Sequence, residues 1–138
     1  MFEYVLQSNQ AGGDEMLDGF STYLPTYGEA TITLTKNGLG ISKTTLSKLG
    51  YCRYVRLLID YQGRRMAIVK TTEDDEAKMD FVKNRKVVGV RWNAQDLIQT
   101  ICRMNGWEID NGEKYVIPGE FSIEDCAVIF DFTKVKQP

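Results

Sequence analysis

The sequence predicts an α+β domain assembled from two strand–helix–hairpin units that fold on each other within one chain. Three observations carry this reading. Residues 30–71 spell strand, short helix and hairpin; residues 87–138 spell the same order again; and an acidic stretch, residues 72–86, lies between them. A chain of 138 residues, 43% hydrophobic and 26% charged, suits one domain with a core of its own.

Residues 1–29, the N-terminal arm, are glycine-rich and acidic, with Phe20, Tyr23 and Tyr27 among them. FEYVL reads as an edge strand, and Pro25 favours an extended entry into the strand that begins near residue 30. From Ala30, the residues Ala30, Ile32 and Leu34 alternate with Thr31, Thr33 and Thr35, the pattern of a half-buried strand. Lys36-Asn37-Gly38 then turns the chain, with Gly38 and Gly40 supplying positive φ in a glycine loop. Ser42 is a helix N-cap, Leu46 and Leu49 share a face, and Gly50 stands at the position after the helix end. In RYVRLLIDYQGRRMAIVKT, Val55, Leu57 and Ile59 alternate with Tyr54, Arg56 and Asp60. Gln62-Gly63 turns and MAIV returns, which makes a β-hairpin.

The linker, beginning TTEDDEAKMD, reads as a solvated loop. Beyond it, Val88, Val90 and Trp92 alternate along KVVGVRW as a strand. Asn93 is placed to cap a helix whose stripe is Leu97, Ile101 and Met104, flanked by Ile98 and ended by Gly106. Asp96 falls in its first turn, where negative charge suits the helix dipole. KYVIPGEF and DCAVIFDFTK supply the second hairpin. An aromatic follows each helix-ending glycine, Tyr51 and Trp107, so the repeat is one of pattern and not of residue identity.

The net charge of −2 conceals blocks of opposite sign. Residues 1–30 hold five acids and no Lys or Arg, whereas residues 31–70 hold eight bases against Asp60 alone. Residues 71–80 sum to −4. Such blocks either present a surface to an anionic partner or neutralise each other on folding.

Chemistry is hard to build from this composition. With no histidine, Ser-His and Cys-His mechanisms are excluded along with the commonest metal ligand. Cys52, Cys102 and Cys126 lack C-x-x-C spacing, which reads as buried free thiols in a reducing compartment. The acid pairs Asp74-Asp75 and Glu124-Asp125 lie in polar stretches, and KNGLG matches no phosphate-binding loop. The longest apolar run, CAVIF, is too short for a membrane span, and the first residues resemble no signal peptide. The expectation is a cytoplasmic, non-enzymatic protein without metal or cofactor, a monomer or homodimer.

ITLTKNGLGISKTTLSKLG followed by YVRLLIDYQGRRMAIVKT, residues 30–71, resembles the AbrB/MazE swapped-hairpin barrel. In that family two subunits interlock as a DNA-binding dimer. The resemblance implies that this chain is an AbrB-like pseudo-dimer, each unit standing in for one subunit. The family places Ile-Pro near the start of its helix, where this chain has Ile41-Ser42. ITLTKNGLGIS, LGY-x-x-YV-x-LLID and VRWN-x-x-DLI also resemble small uncharacterised proteins of Firmicutes genomes, phages and conjugative elements.

Two roles follow as expectations. One is a DNA-associated regulator of a mobile element, gripping duplex DNA with Lys36, Lys43, Arg53, Arg56, Arg64 and Arg65. Tyr54 and Tyr61 stand among these arginines as stacking or interface residues, or simply as the outer face of a strand. Arg64 and Arg65 are expected to protrude into water at a hairpin tip. The other role is an anti-defence protein, such as an anti-CRISPR, that binds and inhibits a host defence nuclease. Its contacts would be Glu73, Asp74 and Asp75.

Overall fold

The computed structural model describes residues 19, 29–84, 87–109 and 112–136. The expected edge strand FEYVL and the extended lead from Pro25 lie outside the described residues. The chain is α+β, mostly antiparallel strands in a curled half-barrel sheet with two helices and a 3-10 turn among the described residues.

The first unit opens with a hairpin, β1 (Thr31–Thr35) and β2 (Gly38–Ser42), turning at Lys36-Asn37. Ile32 faces Ile41 and Leu34 faces Leu39 across it, all four side chains buried. The glycine loop read from the sequence is therefore strand. Neither Gly38 nor Gly40 has positive φ. Gly38 instead leaves room, because a Cβ there would lie 2.9 Å from Arg91 Nε and from Asn93 Oδ1. Alternating Leu39 and Ile41 outweigh the low strand propensity of glycine, since both side chains gain a buried place.

Ser42 caps α1 (Lys43–Lys48) as expected, its hydroxyl accepting from the Thr45 N–H at 3.3 Å. Gly50 takes φ +69, and the Tyr51 N–H reaches the Leu46 carbonyl at 2.8 Å to close the helix end. The next hairpin is β3 (Tyr54–Asp60) with β4 (Arg65–Thr71). The acidic linker does not stay a solvated loop. It forms β5 (Met79–Asp80) on β3, and Phe81 and Val82 are buried with N–H bonds to the Arg53 and Cys52 carbonyls. The two apolar residues were hidden behind the acidic run that precedes them.

β6 (Gly89–Trp92) turns Val90 and Trp92 toward the core, while Val88 stands outside the strand, 79% exposed. It leads to α2 (Gln95–Asn105), whose N-cap is Ala94 without a side-chain bond. The expected cap Asn93 sits one residue early, its amide oxygen against Gly38. Ile98 and Ile101 carry the buried face of α2 and Leu97 is half-buried, so the stripe is rotated slightly toward Ile98. β7 (Tyr115–Ser122) and β8 (Ala127–Asp131) complete the sheet, followed by a 3-10 turn at Phe132–Lys134.

The strands are ordered β5-β3-β4-β8-β7-β1-β2-β6. β7 serves two neighbours. Its first half, Tyr115 to Pro118, pairs with β1, and Gly119 to Ser122 pair with β8. Core side chains from both units meet inside the curl, among them Ile32, Leu34, Leu46, Ile68, Phe130 and Phe132.

The register repeats internally. Arg64 and Cys126, 62 positions apart, close the two hairpin turns with φ 56 and 49. Asp60 Oδ1 accepts from the Gly63 N–H in the first turn, and Ser122 Oγ accepts from the Asp125 N–H in the second. The Phe132 N–H donates to the Arg64 carbonyl, and its counterpart, the Lys70 N–H, donates to the Cys126 carbonyl. At the helix ends Trp107 reaches Cys102 just as Tyr51 reaches Leu46, and Gly106 matches Gly50 at φ +69. Exchanging β1–β4 with β5–β8 leaves the pairings among the described strands unchanged but for one ladder: β1 pairs β2, and β5 does not pair β6.

Candidate nucleic-acid interface

Of the expected contact residues, Arg53 and Arg56 stand just before and on β3 and Glu73, Asp74 and Asp75 on the linker, and folding ties Arg56 to Asp75. The outer face of β3 carries Tyr54, Arg56, Leu58 and Asp60, with Val55 buried beneath. Arg53 pairs with Asp80 at 3.7 Å and Arg56 with Asp75 at 3.3 Å. Arg53 also sits 5.3 Å from the Tyr54 ring centre, with the Lys78 ammonium 5.8 Å from the same ring. Asp75 accepts from the Thr71 hydroxyl at 2.7 Å and the Ala77 N–H at 2.8 Å. The hydroxyl bond foremost, with Arg56 adding attraction, holds its carboxyl below the ordinary aspartate range. The linker thus lays its acids on the arginines of the basic block. Glu73 and Asp74 remain exposed in its turn.

The hairpin tip differs from its expected picture. Arg65 is exposed, and its guanidinium bonds Asp60 Oδ2 at 2.8 Å through Nη2. Asp60, which also accepts from the Gly63 N–H, is held below its ordinary pKa by that backbone bond first and by Arg65 next. Arg64 does not protrude. It is half-buried, and its Nε–H donates to Asn105 Oδ1 at 2.7 Å. Asn105 in turn donates to the Ile101 carbonyl at 2.9 Å. The left-handed φ at Arg64 turns its side chain back onto α2, which a hairpin read only as tip and strands does not foresee.

Lys36 and Lys43 lie elsewhere, at opposite ends of β2 and both exposed. Between them the outer face of β1, β2 and β6 presents two cross-strand rows: Thr33, Gly40 and Arg91, then Thr31, Ser42 and Gly89. A trough of about 400 Å3 runs over this face, lined by Thr31, Thr33, Gly40, Ser42, Val88 and Arg91 with no acid in its lining. Arg91 was not singled out from the sequence. The signal was present in KVVGVRW, where it alternates with the inward Val90 and Trp92 on an exposed position.

Among the described residues no group of three or more His, Cys, Asp or Glu is arranged to hold a metal ion. Burial pushes the Cys52 thiol up from its ordinary pKa, which suppresses the thiolate. Cys102 is half-buried, and Cys126, expected inside, is exposed at the second hairpin turn. No described helix is long and apolar enough to cross a membrane. Compared with protein-family models, curated proteins and solved structures, the chain gives no match.

Proposed function

We propose that this protein is a non-enzymatic, DNA-associated regulator of a phage or mobile element, built as an AbrB-like pseudo-dimer. The observation that carries the reading is the internal register. The order strand, strand, helix, strand, strand occurs twice, and equivalent strands β2 and β6, and β4 and β8, pair with each other antiparallel. That is the arrangement two interlocked subunits would give if fused, with each supplying the apolar partner the other lacks. The DNA-facing surface in this reading is the outer face of β1, β2 and β6, with Lys36, Lys43 and Arg91 as phosphate contacts. Arg53, Arg56 and Arg65 are engaged with Asp80, Asp75 and Asp60, so they contribute less than their number suggests.

The test is the salt dependence of binding to random duplex DNA. K36E/K43E/R91E is expected to weaken binding and flatten the slope of log K against log salt by about 0.9 for each phosphate no longer neutralised. R53E/R56E should change the slope less. Equal effects of the two variants, or no binding by the parent protein, would remove this surface from consideration.

A second reading is favoured by the linker. It neutralises β3 yet leaves Glu73 and Asp74 exposed, a patch suited to the cationic channel of a host defence nuclease. In that case the chain is an anti-defence protein, and reversing Glu73 and Asp74 abolishes inhibition with the fold intact.

A further inference from the structure

Among the described residues, every ladder of the first half has its counterpart in the second except one. β1 and β2 share four register pairs, from Ile32↔Ile41 to Thr35↔Gly38. Their equivalents β5 and β6 stand at opposite ends of the strand order with no ladder between them. They are nevertheless neighbours. The Trp92 indole N–H donates to the Asp80 carbonyl at 3.4 Å, and the Phe81 and Trp92 rings lie 6.0 Å apart at 51°. Two aromatics fill the inside of this seam, and among the described residues one long side-chain bond stands where four residue pairs stand in the other half.

The connection explains the difference. β1 returns to β2 through Lys36 and Asn37 alone. After β5 the chain runs on past the start of β3, with the Phe81 and Val82 N–H groups bonded to the Arg53 and Cys52 carbonyls, before it reaches β6. A backbone drawn onward in this way cannot make the tight turn that zips a two-residue hairpin.

We infer that the β5–β6 seam is a gate in the barrel wall, held by the Trp92 indole and opening without disturbance of the β1–β2 wall. Opening releases Trp92 from Asp80 and lifts Phe81 and Val82 from the Arg53 and Cys52 carbonyls just ahead of β3. Regions with few backbone bonds open locally at lower free energy than laddered ones. The confinement is built in: β1–β2, β2–β6, β1–β7 and β4–β8 all carry ladders that stay closed.

Residue-resolved amide exchange on the full chain tests the gate. In the parent protein the Phe81 and Val82 amides should exchange at least about tenfold faster than hydrogen-bonded amides of the β1–β2 ladder, the factor that one ordinary hydrogen bond supports. W92F keeps an aromatic ring and removes the N–H donor. It should accelerate exchange at Phe81 and Val82 again, by up to about tenfold, and leave the β1–β2 and β2–β6 ladders unchanged. Equal protection of the two seams in the parent protein overturns the inference, whether or not W92F folds. So does a W92F acceleration spread evenly over both walls, because that would be a loss of global stability.

Discussion

The two halves of the sheet keep one backbone plan with different side chains, and the difference is clearest at one pair of positions. In the first half Leu57 faces Ile68 across β3 and β4; 62 positions on, Gly119 faces Phe130 across β7 and β8. A medium pair in one hairpin becomes an empty position under a large ring in the other. A Cβ on Gly119 would lie 2.5 Å from Phe130 Cε1 and 2.7 Å from Val128 Cγ1. The space is shared out differently and the ladder stays. What the halves preserve is turn geometry and register, while the side chains at equivalent positions differ.

The largest expected effect comes from cutting the comparison in two. Four pairings cross between the halves: β1 with β7, β2 with β6, β5 with β3, and β4 with β8. Residues 1–76 alone and residues 77–138 alone should each lack cooperative unfolding, because each loses its partner strands and half its core. Mixed together they should regain a single cooperative transition by circular dichroism. A half that melts cooperatively on its own would show that the two units are independent modules.

The exchange of volume sharpens the comparison at a smaller scale. Gly119→Ala should cost about 1–3 kcal/mol, the usual cost of forcing an extra carbon into a filled core. Phe130→Ile alone should also destabilise, since it leaves a void where the ring was. Together they move the second hairpin toward the Leu57–Ile68 arrangement of the first. Denaturant melts should then show a double mutant less destabilised than the sum of the single changes, with a coupling of about 0.5–3 kcal/mol. Strict additivity would mean that the two positions do not share space.

Much of this plan was legible in the residues. Alternation placed Ile32 and Leu34 inward, Ser42 and Gly50 bounded the first helix, and Gln62-Gly63 located the first hairpin turn. These signals are local, and local signals survive folding when the tertiary structure agrees with them. Two of the misreadings share one physical source. Gly38 to Ser42 became a strand because β1 and β6 lie on either side of it, and Met79 to Val82 left the acidic loop because β3 and the two residues before it offer a free edge. Both depend on partners distant in sequence. The same holds for the site: Arg53, Arg56 and Arg65 were visible as cations, but the acids that engage them were not.

The smallest expected effect separates the two hairpin tips. Arg64 and Cys126 occupy equivalent left-handed positions, so any strain of a non-glycine residue there is common to both. Replacing either by alanine keeps that strain and changes only the side chain. At Arg64 the change removes the bond from Nε to Asn105, which ties the first tip to the C-terminal turn of α2. A hydrogen bond of this kind contributes about 0.5–1.5 kcal/mol, and Arg64→Ala should lower stability by that amount. The exposed Cys126 makes only a weak thiol contact, 3.8 Å to the Ile123 carbonyl, and Cys126→Ala should stay within about 0.5 kcal/mol of the parent. Asn105→Ala made on top of Arg64→Ala should then cost less than Asn105→Ala alone, because the bond between the two residues is already gone. Equal costs at the two tips, or full additivity with Asn105, would show that the Arg64 side chain contributes nothing to holding α2. The tip would then be as solvated as the sequence alone suggested.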